Sequence, residues 1–263
     1  MSDIPRFWKD APSAVIPVEE HWQKFVRIVG GAVLEDVLPQ PRSFENADFL
    51  FMQDQIVAEL KEIETEFSHS AAFGKGLHEL MQKLKQKEPD WRPDFEVEEM
   101  PIPGWFRAEF VRIFRPPLSR VLKKANRQIR DTKEHFGIQG PNGILLLVND
   151  GFRSVSPALI RSQVSELLQH SYSSIDCCIY MTVNRYVEVG GSREPKLLWL
   201  PAYSDRAPDS LVSFVNTLGS RWFQYLENEI GPFTSSVVLP DATVADELLR
   251  GSKYVVLPHE RGG

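Results

Sequence analysis

Two short apolar runs, close together in the sequence, constrain this chain more than any other feature. Residues 47–52 (ADFLFM) and 56–63 (IVAELKEI) have the length and the aromatic and β-branched content of strands, and Asp54-Gln55 falls between them. So short a connection makes an antiparallel hairpin the simplest arrangement. With Asp54-Gln55 as a two-residue turn, Gln53 faces Ile56, Leu50 faces Glu59 and Asp48 faces Lys61. Side chains alternate along a strand and directly opposed residues share a face, so Asp48, Glu59 and Lys61 are expected on one side of the sheet. A four-residue loop preserves that outcome. A three-residue loop turns Asp48 away, because a slip of one residue reverses every side chain.

In that register Asp48 and Glu59 are diagonal neighbours, with Cα atoms roughly 7–8 Å apart. Two carboxylates at this range can share one divalent ion, and Mg2+, with Mn2+ as its substitute, suits hard oxygen ligands. Such an ion polarises a phosphate and helps to generate hydroxide. Lys61 can reach the attacking water or the charge developing on phosphorus oxygens. A plainer account exists for the same residues. A strand ending Glu-Leu-Lys-Glu-Ile-Glu is also what a sheet edge carries to discourage aggregation, and Asp-x10-Glu-x-Lys arises readily by chance.

Asp48-Phe49-Leu50-Phe51 followed by Val57-Ala58-Glu59-Leu60-Lys61 resembles the signature of the PD-(D/E)XK nuclease superfamily. A helical pattern precedes these strands, and a helix then a strand follow them, as that superfamily's core order requires. The resemblance covers about 18–150, with residues 65–110 standing outside it as an insertion. Ala47 occupies the position of the pattern's proline. The resemblance implies a restriction-endonuclease-like core. It makes Asp48 and Glu59 metal ligands, the Leu60 carbonyl a third, and Lys61 the catalytic lysine. It adds an acid on the first helix, Glu35 ahead of Glu20, and a Gln or Lys on the helix after the motif, Gln128 ahead of Lys124. The implied activity is Mg2+- or Mn2+-dependent endonucleolytic cleavage of nucleic acid, DNA rather than RNA, in a bacterial cytoplasm.

The rest of the chain alternates helices and strands. Trp22, Phe25, Val26, Val29, Val33 and Val37 follow helical spacing over 18–38, with Gly30-Gly31 as a bend or an interruption and Pro39 and Pro41 as the stop. Leu77, Leu80, Met81 and Leu84 predict a short helix inside the insertion, and 87–105 reads as a proline-rich acidic loop. Leu118, Leu122, Ala125, Ile129, Thr132 and Phe136 form one stripe of a helix over 118–136, opened by Pro116-Pro117 and stopped by Gly137. Strands are expected over 143–148, 175–189 and 196–201, with Gly190-Gly191 as a turn, and helices from Pro157 and over 209–230. A short helix over 243–250 and a strand over 254–257 close the chain. The class is α/β, or mixed α+β, with helices on both faces of a central mixed sheet. It reads as a single domain, with core segments at about 18–64 and 111–150 and a C-terminal extension of sheet and helices over 151–263.

Between Arg112 and Lys133 eight basic residues stand against the single acid Asp131. Arg120, Lys124 and Arg127 share a helix face and are candidates for tracking phosphates, although a run of charge is usually just a solvated surface. The net charge of −6 on 263 residues argues against a passive nucleic-acid coat, which would be basic, but not against a nuclease, whose docking depends on local charge. Cys177 and Cys178 are adjacent and point to opposite faces of a strand, so neither a disulfide between them nor a zinc site is expected. None of the six histidines pairs at metal-binding spacing, and no phosphate-loop or nucleophile-elbow motif is present. The start MSDIPRFWKD has no apolar secretory segment, and no apolar run reaches membrane-spanning length, so a cytoplasmic protein without a membrane partner is expected. Trp91 and Trp105 could stack on a base, but packing of the insertion explains them as well. The competing expectation for the whole chain is a nuclease-like scaffold without catalysis, serving as a homo-oligomer or as a partner subunit of a larger assembly. The acidic total and the aromatic insertion favour it.

Overall fold

The computed structural model describes residues 15–39, 41, 44–64, 66, 70–90, 103–152, 157–187, 196–233, 235–239 and 252–256. The expected Gly190-Gly191 turn, the helix over 243–250 and Trp91 lie outside these residues. The elements run α1 (Val18–Ile28), β1 (Ala32–Val33), α2 (Leu34–Val37), β2 (Phe49–Phe51), β3 (Ile56–Ile63), α3 (Ala71–Lys87), α4 (Gly104–Phe136), β4 (Gly143–Asn149), α5 (Pro157–His170), β5 (Cys177–Met181), β6 (Lys196–Tyr203), α6 (Asp209–Ile230), β7 (Ser235–Leu239) and β8 (Ser252–Val256). The class is α/β, as the alternation predicts. The strands form one mixed sheet in the order β1-β2-β3-β4-β5-β6-β8-β7. Strands β3, β4 and β5 are parallel, and every other neighbouring pair is antiparallel.

Burial on both faces explains why β3 to β6 read as almost unbroken apolar runs. On one face Leu50, Val57, Leu145, Leu147, Cys178 and Tyr180 pack against Leu118, Leu122, Ala125 and Ile129 of α4 and against α5. On the other, Phe49, Ala58, Ile144, Leu146, Cys177 and Ile179 pack against α1 and α6. The two cysteines therefore do face opposite ways, both buried and unbridged. Trp22 of α1 and Trp222 of α6 stack with centroids 4.3 Å apart, which ties the two helices together over that face. Such a pair contributes about 0.5–1.5 kcal/mol beyond its area burial.

Three expectations need correcting. The pattern over 18–38 is not one helix: α1 ends at Ile28, Gly30 takes φ +85°, and the chain returns as β1 beside β2. Glycine at 31 is required there, because a Cβ would fall 2.7 Å from the Phe51 ring. The helix expected over 118–136 begins at Gly104 and carries Pro116 and Pro117 inside it. Its end is as expected: Gly137 adopts φ +67°, and the Ile138 N–H donates to the Lys133 carbonyl. The strand expected over 175–189 spans only Cys177–Met181, followed by an isolated bridge from Val187 to Lys196. An additional strand, β7, pairs with β8.

Among the described residues no helix is long and apolar enough to cross a membrane.

Candidate active site

The hairpin differs from the expected one in its turn and agrees in its consequence. The register pairs Phe51 with Ile56, Leu50 with Val57 and Phe49 with Ala58. The loop is therefore residues 52–55, four residues and not two, with Gln55 at φ +52° closing it. An even loop keeps the face. Continuing the register by one residue sets Asp48 opposite Glu59, closer than the diagonal placement that a two-residue turn implies. Both side chains, with Lys61, lie on the α4 side of the sheet, shared with Leu50 and Val57.

Each carboxylate is held differently. Asp48 Oδ2 accepts the Leu60 N–H at 2.7 Å, across the hairpin. The Asp48 carbonyl accepts the Leu34 N–H at 2.8 Å, which ties it to the start of α2. Glu59 is fully buried, and its Oε1 accepts from Lys61 Nζ. Its other oxygen, Oε2, is buried and meets no N–H or hydroxyl donor among the described residues, while the Glu59 and Asp48 carboxyls lie close enough to share a side-chain hydrogen bond. Burial raises the Glu59 carboxyl to about 8, reinforced by Asp48 and opposed by Lys61. Burial also raises the Asp48 carboxyl; the Leu60 N–H, Lys61 and a side-chain hydrogen bond with Glu59 oppose the shift, and Glu35 adds to it. Asp48 pushes the Glu59 carboxyl toward its neutral form, whereas a side-chain hydrogen bond with Glu59 lowers the Asp48 carboxyl, and a cation placed between the two would stabilise both as anions. A buried Glu59 oxygen that meets no N–H or hydroxyl donor among the described residues, beside a second raised carboxyl, fits a divalent ion held by Asp48, Glu59 and the Leu60 carbonyl.

A cavity of about 330 Å3 opens beside Asp48, lined among others by Glu19, Gln23, Glu35, Glu45, Lys124 and Gln128. It thus gathers four of the residues expected from the sequence: Asp48, Glu35, Lys124 and Gln128. Glu35 sits on α2, the short helical turn after β1, while Glu20 does not line the cavity. Glu59 and Lys61 lie beside Asp48 on the same face of the sheet and do not line the cavity. Gln128 is buried; its Nε2 donates to the Asn46 carbonyl at 3.0 Å, and its Oε1 has no partner among the described residues. Arg127 pairs with Glu45 at 2.5 Å on the cavity rim. Arg120 is exposed one turn before Lys124 and donates to the Pro116 carbonyl at 3.4 Å. Among the described residues no three acidic, histidine or cysteine side chains gather closely enough to hold a metal, so Glu35 shares the cavity without completing a three-acid set.

Glu19, Gln23 and Glu45 belong to the cavity and were not singled out in the sequence. Glu19 and Gln23 are four apart on one helix face, a spacing visible in the sequence, but nothing there says that this face meets the hairpin. A larger groove of about 510 Å3 lies elsewhere, between the hairpin loop and α6, and holds none of these residues. The chain matches no family model, no curated protein and no solved structure.

Proposed function

We propose that this chain is a metal-dependent phosphodiesterase of the PD-(D/E)XK kind, cleaving nucleic acid, DNA rather than RNA, in the cytoplasm. The observation that carries this reading is the Asp48–Glu59 pair, opposed across a hairpin, with one buried Glu59 oxygen that meets no N–H or hydroxyl donor among the described residues. Order along the chain supports it: α1, three antiparallel strands with the short α2 between the first two, then α3, the long α4, and β4 parallel to β3.

Asp48, Glu59 and the Leu60 carbonyl hold the ion. Bound there, a divalent cation supplies positive charge that polarises the phosphate and acidifies a water. Lys61 is four-fifths buried and keeps its ammonium against Glu59, from where it can donate a proton to a phosphate oxygen or orient the water. Lys124, exposed on the cavity wall, draws the phosphodiester in, and Arg120 extends the positive edge along α4.

The purified protein is expected to nick labelled DNA with Mg2+ or Mn2+, and Lys61→Ala and Glu59→Ala to abolish cleavage with the fold intact. Cutting by these variants at the wild-type rate would place the activity elsewhere. A second reading, a nuclease-like scaffold without catalysis, draws support from the complete burial of Glu59 and its existing bond to Lys61. It predicts no Mn2+ binding that depends on Asp48 and Glu59.

A further inference from the structure

Thr132 is a polar residue in an apolar stripe. Leu118, Leu122, Ala125 and Ile129 of α4 are fully buried against the sheet, and Thr132 is fully buried with them. A hydroxyl in that position requires a partner. It finds one far away in sequence: Thr132 Oγ1 accepts the Ala47 N–H at 2.7 Å. One turn earlier on the same helix, Gln128 Nε2 donates to the Asn46 carbonyl at 3.0 Å. Positions i and i+4 of a helix stand one above the other, so the two side chains grip consecutive backbone groups of one extended segment. That segment leads directly into Asp48.

We infer that Thr132, with Gln128, is a positioning residue that sets the Asp48 carboxylate against Glu59 and Leu60. This inference rests on the reading of Asp48 and Glu59 as metal ligands. Only three residues of β2 are paired in the hairpin, so ladder bonds alone leave the backbone before Asp48 unsupported. Ala47 is fully buried, and without the hydroxyl its N–H would lose the partner that it has. With both ties in place, Asp48 is fixed from three sides: its lead-in by α4, its carbonyl by the Leu34 N–H at the start of α2, and its carboxylate by the Leu60 N–H. Neither Thr132 nor Gln128 needs to touch a ligand for this role. Groups that orient metal ligands from behind typically change metal affinity by about 10–100-fold when removed.

The test uses two readouts on the full chain. The first needs no metal: hydrogen exchange of the Leu60 amide, which reports whether the Asp48 carboxylate stays on it. The second is Mn2+ affinity by calorimetry. Thr132→Val removes the acceptor and keeps the shape. It should speed Leu60 exchange about tenfold or more, leave the Ile179 amide of β5 unchanged, and weaken Mn2+ binding about 10–100-fold. Thr132→Ser, which restores the hydroxyl, should recover both. Gln128→Met, which removes the other tie, should move both readouts the same way and also serves should the valine variant not fold. Unchanged Leu60 exchange in Thr132→Val and Gln128→Met overturns the inference, as does a serine variant that behaves like the valine one. A wild type that binds no Mn2+ while Leu60 exchange still responds to Thr132→Val overturns the metal reading and leaves the positioning role standing.

Discussion

Two acids of the central sheet, Glu59 and Asp176, are completely buried, and they are treated in opposite ways. Asp176 enters β5, and both its oxygens are used. Oδ2 accepts the Gly143 N–H at 3.0 Å, and Oδ1 takes the Arg206 guanidinium at 3.1 Å. Its backbone is tied as well, with the Asp176 N–H donating to the Gly143 carbonyl and its carbonyl accepting from the Ser204 N–H. Glu59, in the middle of β3, has Lys61 on one oxygen, and on the other it meets no N–H or hydroxyl donor among the described residues, only the neighbouring Asp48 carboxyl. Burying a charge is costly unless its hydrogen-bonding capacity is met. Asp176 meets it and serves the fold by locking the starts of β4 and β5. Glu59 leaves it partly unmet, and the deficit faces the same side as Asp48. An incomplete buried acid next to a second acid and a cavity is what a ligand site requires.

The sharpest way to break this comparison is to remove one acid from each end. Glu59→Ala or Lys61→Ala should lower Mg2+-dependent DNA cleavage by about a thousandfold, measured by gel assay on labelled substrate, with little loss of thermal stability. Asp176→Ala should do the reverse. It orphans the Gly143 N–H and should destabilise the protein by about 1–3 kcal/mol in urea unfolding, while the folded fraction keeps its specific activity. Equal stability losses at the two positions would mean that Glu59 is structural too.

The pH dependence sharpens the contrast. Glu59 has its carboxyl raised from an ordinary 4.5 to about 8, chiefly by burial and then by Asp48. The folded state therefore holds this proton more tightly than the unfolded chain does. Its stabilising contribution is complete below about pH 4.5 and is lost as pH rises toward 8. Glu62, on the other face, is raised to about 7 by partial burial and by Asp150, and acts with the same sign. In the presence of EDTA the melting temperature should fall across this window. Glu59→Gln should flatten the fall, and Glu59→Gln with Glu62→Gln should flatten it further. A wild-type melting temperature that rises from pH 5 to pH 8 would contradict the assignment.

The smallest effect is expected on the rim. Lys124→Ala should reduce the slope of log affinity for duplex DNA against log salt by about 0.9, the loss of one phosphate contact. Arg127→Ala should change it less, because Arg127 already pairs with Glu45. Fluorescence anisotropy at several salt concentrations measures both.

How much of this was legible in the sequence differs between the site and its supports. The face shared by Asp48, Glu59 and Lys61 followed from alternation alone, and it survived a wrong loop length because two and four are both even. The exact opposition of Asp48 and Glu59 did not follow, since it depends on Gln55 taking a left-handed conformation that no glycine announces. Strand β1 is only two residues long, too short to show any period. Helix α4 runs through Pro116 and Pro117, which read as a beginning because proline favours the first turn. Their missing N–H groups leave the Arg112 and Ile113 carbonyls without the usual helical donor, a cost the helix bears among its contacts with α3. The tie from Thr132 to Ala47 spans 85 residues of sequence, and its only trace was a threonine among apolar neighbours.

The central claim is that the Asp48–Glu59 pair is an unfinished site that a divalent ion completes. Calorimetric titration of the metal-free protein with Mn2+ near neutral pH, in two buffers of different ionisation enthalpy, tests it directly. The account predicts one saturable site whose binding releases protons, as Glu59 gives up its own, lost in Asp48→Asn and Glu59→Gln and retained in Asp176→Asn. Absence of binding in the wild type, or equal binding in Asp48→Asn and Glu59→Gln, would contradict it.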